Sequence, residues 1–253
     1  MKMLTALVLL LLATPAMADD AALFAAYAKG DYSAAMAAGE AAHTAYGSAL
    51  AARAALADAV LREQPCLACL QRAEALARAA VAADPKLADG QIWLAVALGY
   101  QARIQGLVRA RMRDLPGQSK AALDAANASA PDNPYATSAL GGWNIEVVKG
   151  GGPFLARHLY GATLPDAIAL FDRAVKLAPG NVAVRYRIAL ALAGFDPETY
   201  RSRIATELDA AIKAAPATAY ERAMQARAVE LKILQSRSRP VFDAKVREFQ
   251  GYP

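Results

Sequence analysis

The chain has 253 residues, of which 56% are hydrophobic, 20% charged and 7% aromatic, and its formal net charge is +5. This length can bury one or two hydrophobic cores, and much of the apolar share is alanine, which favours helices and lets them pack closely. Alternation of Val, Ile and Thr, the pattern of strands, is almost absent, which argues against a sheet. The sequence therefore predicts an all-α protein.

The N-terminus has the order of a secretory signal peptide over residues 1–18. Lys2 precedes an apolar stretch at residues 4–13, and Ala16-Met17-Ala18 forms an A-x-A cleavage site of the bacterial type. The stretch is short for a membrane span, and no cysteine follows the site that a lipid could modify. We expect a periplasmic mature chain that begins at Asp19, has no transmembrane segment and meets no nucleic acid.

Four later helical stretches share one pattern before a proline. Each has a small or apolar residue twelve, eight and five positions before it, such as Ala167, Phe171 and Ala174 in AIALFDRAVKLAP. This spacing places the three residues on one helix face, and proline then ends the helix because it lacks an N–H. The four prolines are Pro85, Pro131, Pro179 and Pro216.

Three further stretches carry a second pattern. The residues concerned are Trp93, Val96, Ala97 and Tyr100 in IWLAVALGY, Leu140 and Gly141 in TSALGGWN, and Gly30, Tyr32, Ala35 and Ala42 in YAKGDYSAAMAAGEAA. Together with the proline-terminated stretches they resemble the tetratricopeptide repeat (TPR) over nearly the whole mature chain. The resemblance implies an α-solenoid of antiparallel helix pairs with a concave binding surface.

The repeats are longer than the ~34 residues of a regular TPR unit, with the excess between the paired helices. We place five units at about 19–47, 48–85, 86–131, 132–179 and 180–216, followed by capping helices and a tail at 217–253 that packs over the solenoid end. The largest insertion, residues 149–165, is predicted to hold a glycine hinge and an extra short helix.

This irregular part resembles a particular TPR family, the regulators of microtubule dynamics. In residues 139–193 a helix with L-G-x-W leads to a short helix ending near Y-G and then to a regular second helix. The resemblance implies the fold and a scaffold role. Because the leader predicts export, no role on microtubules is implied, and no ligand residue carries over.

The only two cysteines, Cys66 and Cys69, form a C-x-x-C motif at the predicted start of a second helix, with Pro65 expected at its first position. A helix N-terminus favours a thiolate, so redox activity is chemically possible, but a thioredoxin-like site needs surrounding strands. An oxidising compartment favours a disulfide. A metal site would need His43 as a third ligand without supporting spacing, so none is predicted.

Known catalytic signatures are absent from the sequence: there is no G-x-S-x-G, H-E-x-x-H or P-loop. His158 is the best lone candidate for a general base, but acid–base catalysis also needs a placed partner. We therefore expect no enzyme activity and no cofactor. Arg109 and Arg113, at i and i+4, can together contact a carboxylate or phosphate.

Helix phasing predicts a mixed polar and aromatic concave wall, a composition that suits peptide recognition. Its residues are Gln91, Leu98, Gln101, Tyr135, Ser138, Glu146 and Tyr186. The sequence favours a non-catalytic periplasmic scaffold that binds a protein or peptide, of unknown oligomeric state. Two alternatives stay open: a thiol–disulfide protein using the C-x-x-C, and a small-ligand carrier whose pocket is closed by the inserted helix.

Overall fold

The computed structural model describes residues 15–253, with side chains from residue 20 onward. The signal peptide predicted at residues 1–18 lies outside the residues with described side chains and stays a prediction. Within the described range every regular element is an α-helix, as predicted. The helices are α1 (Pro15–Lys29), α2 (Tyr32–Ala41), α3 (Ala45–Leu61), α4 (Leu67–Ala83), α5 (Ala88–Met112), α6 (Leu115–Ser129), α7 (Pro134–Tyr160), α8 (Leu164–Leu177), α9 (Val182–Phe195), α10 (Arg201–Lys213), α11 (Ala219–Gln235) and α12 (Arg239–Phe249).

The helices pack in consecutive pairs, from α1 with α2 to α11 with α12, and each pair packs against the next. The first helices of neighbouring pairs also contact one another along the series α1, α3, α5, α7, α9 and α11. Such stacking buries a continuous core between pairs, as in a TPR solenoid. The first helices thus form one wall and the second helices the other.

The pattern before the prolines is buried in all four second helices, as predicted. Its twelve residues are at most 4% exposed. The helices end two or three residues before each proline, as the missing N–H requires. The twelve are Ala73, Ala77, Ala80, Ser119, Leu123, Ala126, Ala167, Phe171, Ala174, Ile204, Leu208 and Ala211.

The hinge predicted in the largest insertion is present. Gly152 interrupts α7 with φ 75° and ψ 162°, a conformation open to glycine, and residues 153–160 form the extra short helix. A second break at Gly106, with φ 78° and ψ 163°, divides α5 in the same way and was not predicted. Each of the two first helices therefore ends in a short redirected helix.

The C-terminal tail, residues 250–253, does not pack over the end of the solenoid as expected. It turns inward against α5, α7 and α9, where Arg103 donates to the carbonyl of Gln250 (3.2 Å) and Gln250 Nε2 donates to the carbonyl of Leu190 (3.1 Å). The first helix α1 contacts α11 at the other side. The inner side of the stack is therefore partly filled by the two ends of the described chain.

Candidate binding site

A cavity of about 890 Å³ lies between α5 and α7, with α6, α9 and the tail completing its walls. This is within the ~300–1,000 Å³ of ligand pockets. Its surface is mostly apolar, with Trp93, Leu98, Trp143 and Val147 among the side chains that line it. Trp143 is fixed by a hydrogen bond from its Nε1 to the carbonyl of Pro116 (3.0 Å). The cavity therefore offers an apolar group mostly apolar walls.

Two helical glycines, one on α5 and one on α7, border this space. A Cβ on either Gly99 or Gly142 would have no heavy atom within 4 Å, and both residues line the cavity. By contrast, a Cβ on the neighbouring Gly141 would collide with the ring of Phe171, so packing requires that glycine. Glycine in a helix interior costs about 1 kcal/mol relative to alanine. At Gly99 and Gly142 no packing contact requires glycine, and the missing side chains leave space in the cavity.

A polar cluster forms one end of the cavity. Arg103 pairs with Glu146 (3.1 Å), and the hydroxyl of Tyr252 donates to the same carboxylate (2.8 Å). Burial by itself would raise the pKa of Glu146, but Arg103 and the Tyr252 hydrogen bond outweigh it and hold that pKa below its usual value. Burial and the negative charge of Glu146 raise the pKa of Tyr252 to about 12, so its hydroxyl stays a donor. The cluster fixes the tail against α5 and α7.

Arg187 reaches the cavity from α9. Its Nη2 donates to the hydroxyl of Tyr220 (2.9 Å), and no described carboxylate lies within 4.0 Å of it. Nearby tyrosines outweigh burial and raise the pKa of Arg187, so it keeps its charge. A guanidinium without a counter-ion in such a place suits an anionic group of a ligand.

The two short helices after the glycine breaks form the mouth of the cavity. We call residues 107–113 and 153–160 the rim. A Cβ on Gly150 would lie 3.4 Å from Cδ1 of Leu107, so the α5 and α7 sides meet there. Tyr160 packs edge-on against Trp143, with ring centroids 6.2 Å apart, which ties the second rim helix to the cavity wall.

The predicted concave wall is only partly found. Leu98, Tyr135, Ser138 and Glu146 line the cavity, whereas Gln91, Gln101 and Tyr186 do not. The expected exposure is wrong for Gln91, Leu98, Gln101, Ser138 and Tyr186, which are all buried.

Local packing explains this error. Gln91 donates to the carbonyl of Pro85 (3.3 Å), and Gln101 donates to Glu74 of the preceding unit (2.7 Å), so both amides bond to the protein itself. Burial raises the pKa of Tyr186. Their role in partner binding, predicted from the sequence, is not supported by their position.

Arg109 lies on the first rim helix and Arg113 is its C-cap, and neither residue lines the cavity. Arg109 is exposed, and Arg113 Nη1 donates to the side chain of Gln105 (3.0 Å). Both arginines follow the break at Gly106, so they belong to the redirected end of α5. An anion contact there stays a prediction.

Cys66 and Cys69 form a disulfide at the N-terminus of α4. The prediction of Pro65 at the first helical position is wrong: the helix begins at Leu67, and Cys66 is its N-cap, whose sulfur accepts from the N–H of Cys69 (3.2 Å). Neither cysteine lines the cavity. Among the described residues no group of three or more His, Cys, Asp or Glu is placed to hold a metal.

Both histidines are exposed. His43 lies in the turn between α2 and α3 with φ 51°, away from the cysteines in the fold as in the sequence. His158 stacks on Phe154 in the rim, with ring centroids 6.1 Å apart. No described acid or base hydrogen-bonds to His158, so the geometry gives it no catalytic partner.

Neither the role of the two glycines nor the rim was predicted from the sequence. Gly99 lies two residues after Ala97 and Gly142 directly after Gly141, the small positions of the repeat pattern, so both glycines look like part of it. The available clue was that a repeat needs only one small residue at this contact, so the extra glycines required another explanation. Among helices of residues 15–253, none has both the length and the apolarity to cross a bilayer.

Comparisons with known proteins agree with this fold. The profile described as Regulator of microtubule dynamics protein 1-3 matches residues 48–233. The crystal structure of a thermophilic TPR protein from Thermus thermophilus superimposes with a TM-score of 0.58 at 19% identity, over 85% of this chain and 98% of that one. No curated protein sequence matches the chain. Since the matched region is well over half of the chain and contains both redirected helices, the protein belongs to the regulator of microtubule dynamics family and has a TPR-like fold.

Proposed function

We propose that the protein is a non-catalytic periplasmic scaffold that binds an apolar segment of a protein or peptide partner in the cavity between α5 and α7. The observation that carries the proposal is the apolar space held open by Gly99 and Gly142, which no packing contact explains. TPR-like solenoids present concave surfaces to their partners, and an apolar groove accepts the anchor side chains of an amphipathic segment.

Affinity capture with a cavity-filling variant tests this function. The tag belongs at the mature N-terminus, because the C-terminal tail lines the cavity. Gly142→Leu puts a side chain into the space, where its Cβ has no heavy atom within 4 Å, and Gly180→Leu is its matched control, since Gly180 is exposed outside the cavity with open space around its Cβ. A periplasmic partner is expected to be captured by the wild type and the control and at least about tenfold less by Gly142→Leu, because its anchor loses its site.

Equal capture by all three proteins, or capture of nothing above an untagged control, would contradict the proposal. The periplasmic location rests on the leader and has its own test. The mass of the protein recovered from the periplasmic fraction is expected to match a chain that begins at Asp19.

A small-ligand carrier is the second candidate. The unpaired guanidinium of Arg187 at the cavity favours it, because a small amphiphile with an acidic group would meet both the charge and the apolar walls. Native mass spectrometry of the untreated protein is expected to show a bound mass that Gly142→Leu lacks and Gly180→Leu keeps. A clean apo mass together with partner capture would leave the scaffold function alone.

Removal of the disulfide tests the remaining alternative, a thiol–disulfide protein. Replacing both Cys66 and Cys69 with serine is expected to lower the free energy of unfolding by roughly 2 kcal/mol, as the chain-entropy model gives for so short a loop. Since neither cysteine lines the cavity, partner capture should not change. Loss of function in this stably folded variant would instead favour a thiol–disulfide protein.

A further inference from the structure

The rim exposes an unusual amount of apolar surface for so few residues. Val108 is 73% exposed, Met112 82% and Phe154 78%. Six of the ten exposed large apolar side chains in the described chain belong to the rim, the other three being Leu107, Leu155 and Leu159. Scattered apolar residues are ordinary on a protein surface, but a concentration in one place marks an interaction site.

The rim is also basic. It contains Arg109, Arg111, Arg113 and Arg157 and no acidic residue. None of the four arginines has a described carboxylate within 4.0 Å, whereas arginines elsewhere in the chain form many ion pairs. The positive charge is therefore available to an external partner of opposite sign.

The geometry points to an anionic phospholipid membrane as that partner. We propose that the rim docks the protein peripherally on such a membrane, with Phe154, Met112 and Val108 inserted among the headgroups. Short helices that interleave apolar side chains with arginines bind in this way, because the long arginine stems let the charge reach the phosphates beside the inserted groups. The positive charge of the rim matches the negative surface of an anionic bilayer.

This docking does not depend on the proposed partner binding. Phe154, Arg109, Arg113 and Arg157 do not line the cavity, so they can be changed without altering its walls. Because the rim surrounds the mouth of the cavity, docking would turn that mouth toward the bilayer.

Vesicle flotation tests the proposal with the full mature chain. We expect the protein to float with vesicles of phosphatidylethanolamine and phosphatidylglycerol, less at high salt, and not with phosphatidylcholine vesicles. Phe154→Asp is expected to reduce flotation about tenfold, because it removes the largest inserted group. The triple variant Arg109→Glu, Arg113→Glu, Arg157→Glu is expected to lose it, since each arginine near an anionic surface contributes roughly fivefold.

Matched controls are available outside the rim, on α10, α11 and α12 and the turn between the last two. Val241→Asp replaces another exposed apolar residue, and a triple variant of Lys213, Arg222 and Arg237 to glutamate makes the same change of charge at exposed positions without ion pairs. Both should float like the wild type. No flotation on anionic vesicles, equal flotation on neutral ones, or rim variants that float normally would overturn the proposal. So would rim variants that lose a captured protein while keeping their lipid binding.

Discussion

Helices α5, α7 and α9 all belong to the wall of first helices. The inner face of α9 is covered by other side chains, whereas the space between α5 and α7 is open. A Cβ on Gly194 of α9 would overlap the side chain of Gln250, whose amide donates to the carbonyl of Leu190 (3.1 Å). A Cβ on Gly99 or Gly142 would touch nothing. Glycine thus allows a close contact at position 194 and leaves a space empty at positions 99 and 142.

The difference comes from the C-terminus. Helix α12 and the tail cover α9, and the tail then stops at Arg103 and Glu146, at the edge of the cavity. Two regions of similar local structure therefore differ because the tail fills the space at Gly194 but only borders the cavity at Gly99 and Gly142. The repeat pattern determines the structure of each unit. The position of residues 250–253 determines which inner surface stays open to a ligand.

The largest expected effect is at the boundary between the two regions. Phe171 packs against Gly141 and also borders the cavity. Phe171→Ala should lower the free energy of unfolding by about 3–5 kcal/mol, the usual cost of removing a buried phenyl ring. Urea denaturation measures it. A loss below about 1 kcal/mol would mean that the boundary collapses easily and that the open and sealed regions are not distinct.

Adding one methyl group on the sealed side should also destabilise. Gly194→Ala forces Gln250 out of its place, and overpacking of this kind costs about 1–3 kcal/mol. Thermal unfolding gives the magnitude, and faster hydrogen exchange of the tail amides would identify the displaced segment. A neutral result would show that the tail is held loosely and that α9 is not truly sealed.

The cluster that stops the tail should respond to pH. Glu146→Gln is expected to cost about 1–2 kcal/mol at neutral pH, the value of hydrogen bonds to a charged group reduced for its partial exposure. Because the folded pKa of Glu146 is lowered, the wild-type advantage is complete above the usual glutamate pKa and is lost as the pH falls through the folded value. Urea denaturation of both proteins at several pH values checks this. Parallel profiles would show that the charge of Glu146 does not stabilise the fold.

The smallest effect has the opposite sign. Gly142→Ala adds the same methyl group as Gly194→Ala, but in open space on a helix, and should stabilise by about 0.5–1 kcal/mol. The paired comparison of the two variants by urea denaturation is the sharpest test of the contrast. A destabilised Gly142→Ala would show that its surroundings are tighter than described and that the cavity does not explain the glycine.

The sequence was sufficient where structure depends on local spacing. The triad Ala167, Phe171 and Ala174 and a glycine hinge within residues 149–165 follow from helix period and from the chemistry of proline and glycine. Both are found, the hinge at Gly152. It was insufficient where distant segments meet. Gln101 and Tyr186 were expected on an open wall but are buried, because neighbouring units and the chain ends occupy that side.

The break at Gly106 escaped prediction for a different reason. A single glycine within a long helical pattern is usually tolerated as part of the helix, so it carries little information by itself. The cavity escaped for the same reason as the buried wall. A cavity exists where no distant side chain fills the space, and local sequence patterns do not specify which distant segments meet.

Closure of the stack by its ends also has a consequence for folding. In an open repeat array each unit touches only its neighbours, so structure can form anywhere and spread. Here Arg227 donates to the carbonyl of Val60 (3.0 Å) and Tyr252 to Glu146, contacts that join residues more than a hundred positions apart. Such links slow folding and make unfolding more cooperative. Because Glu146 meets Tyr252 only after 106 further residues have been synthesised, this part of the inner surface forms late.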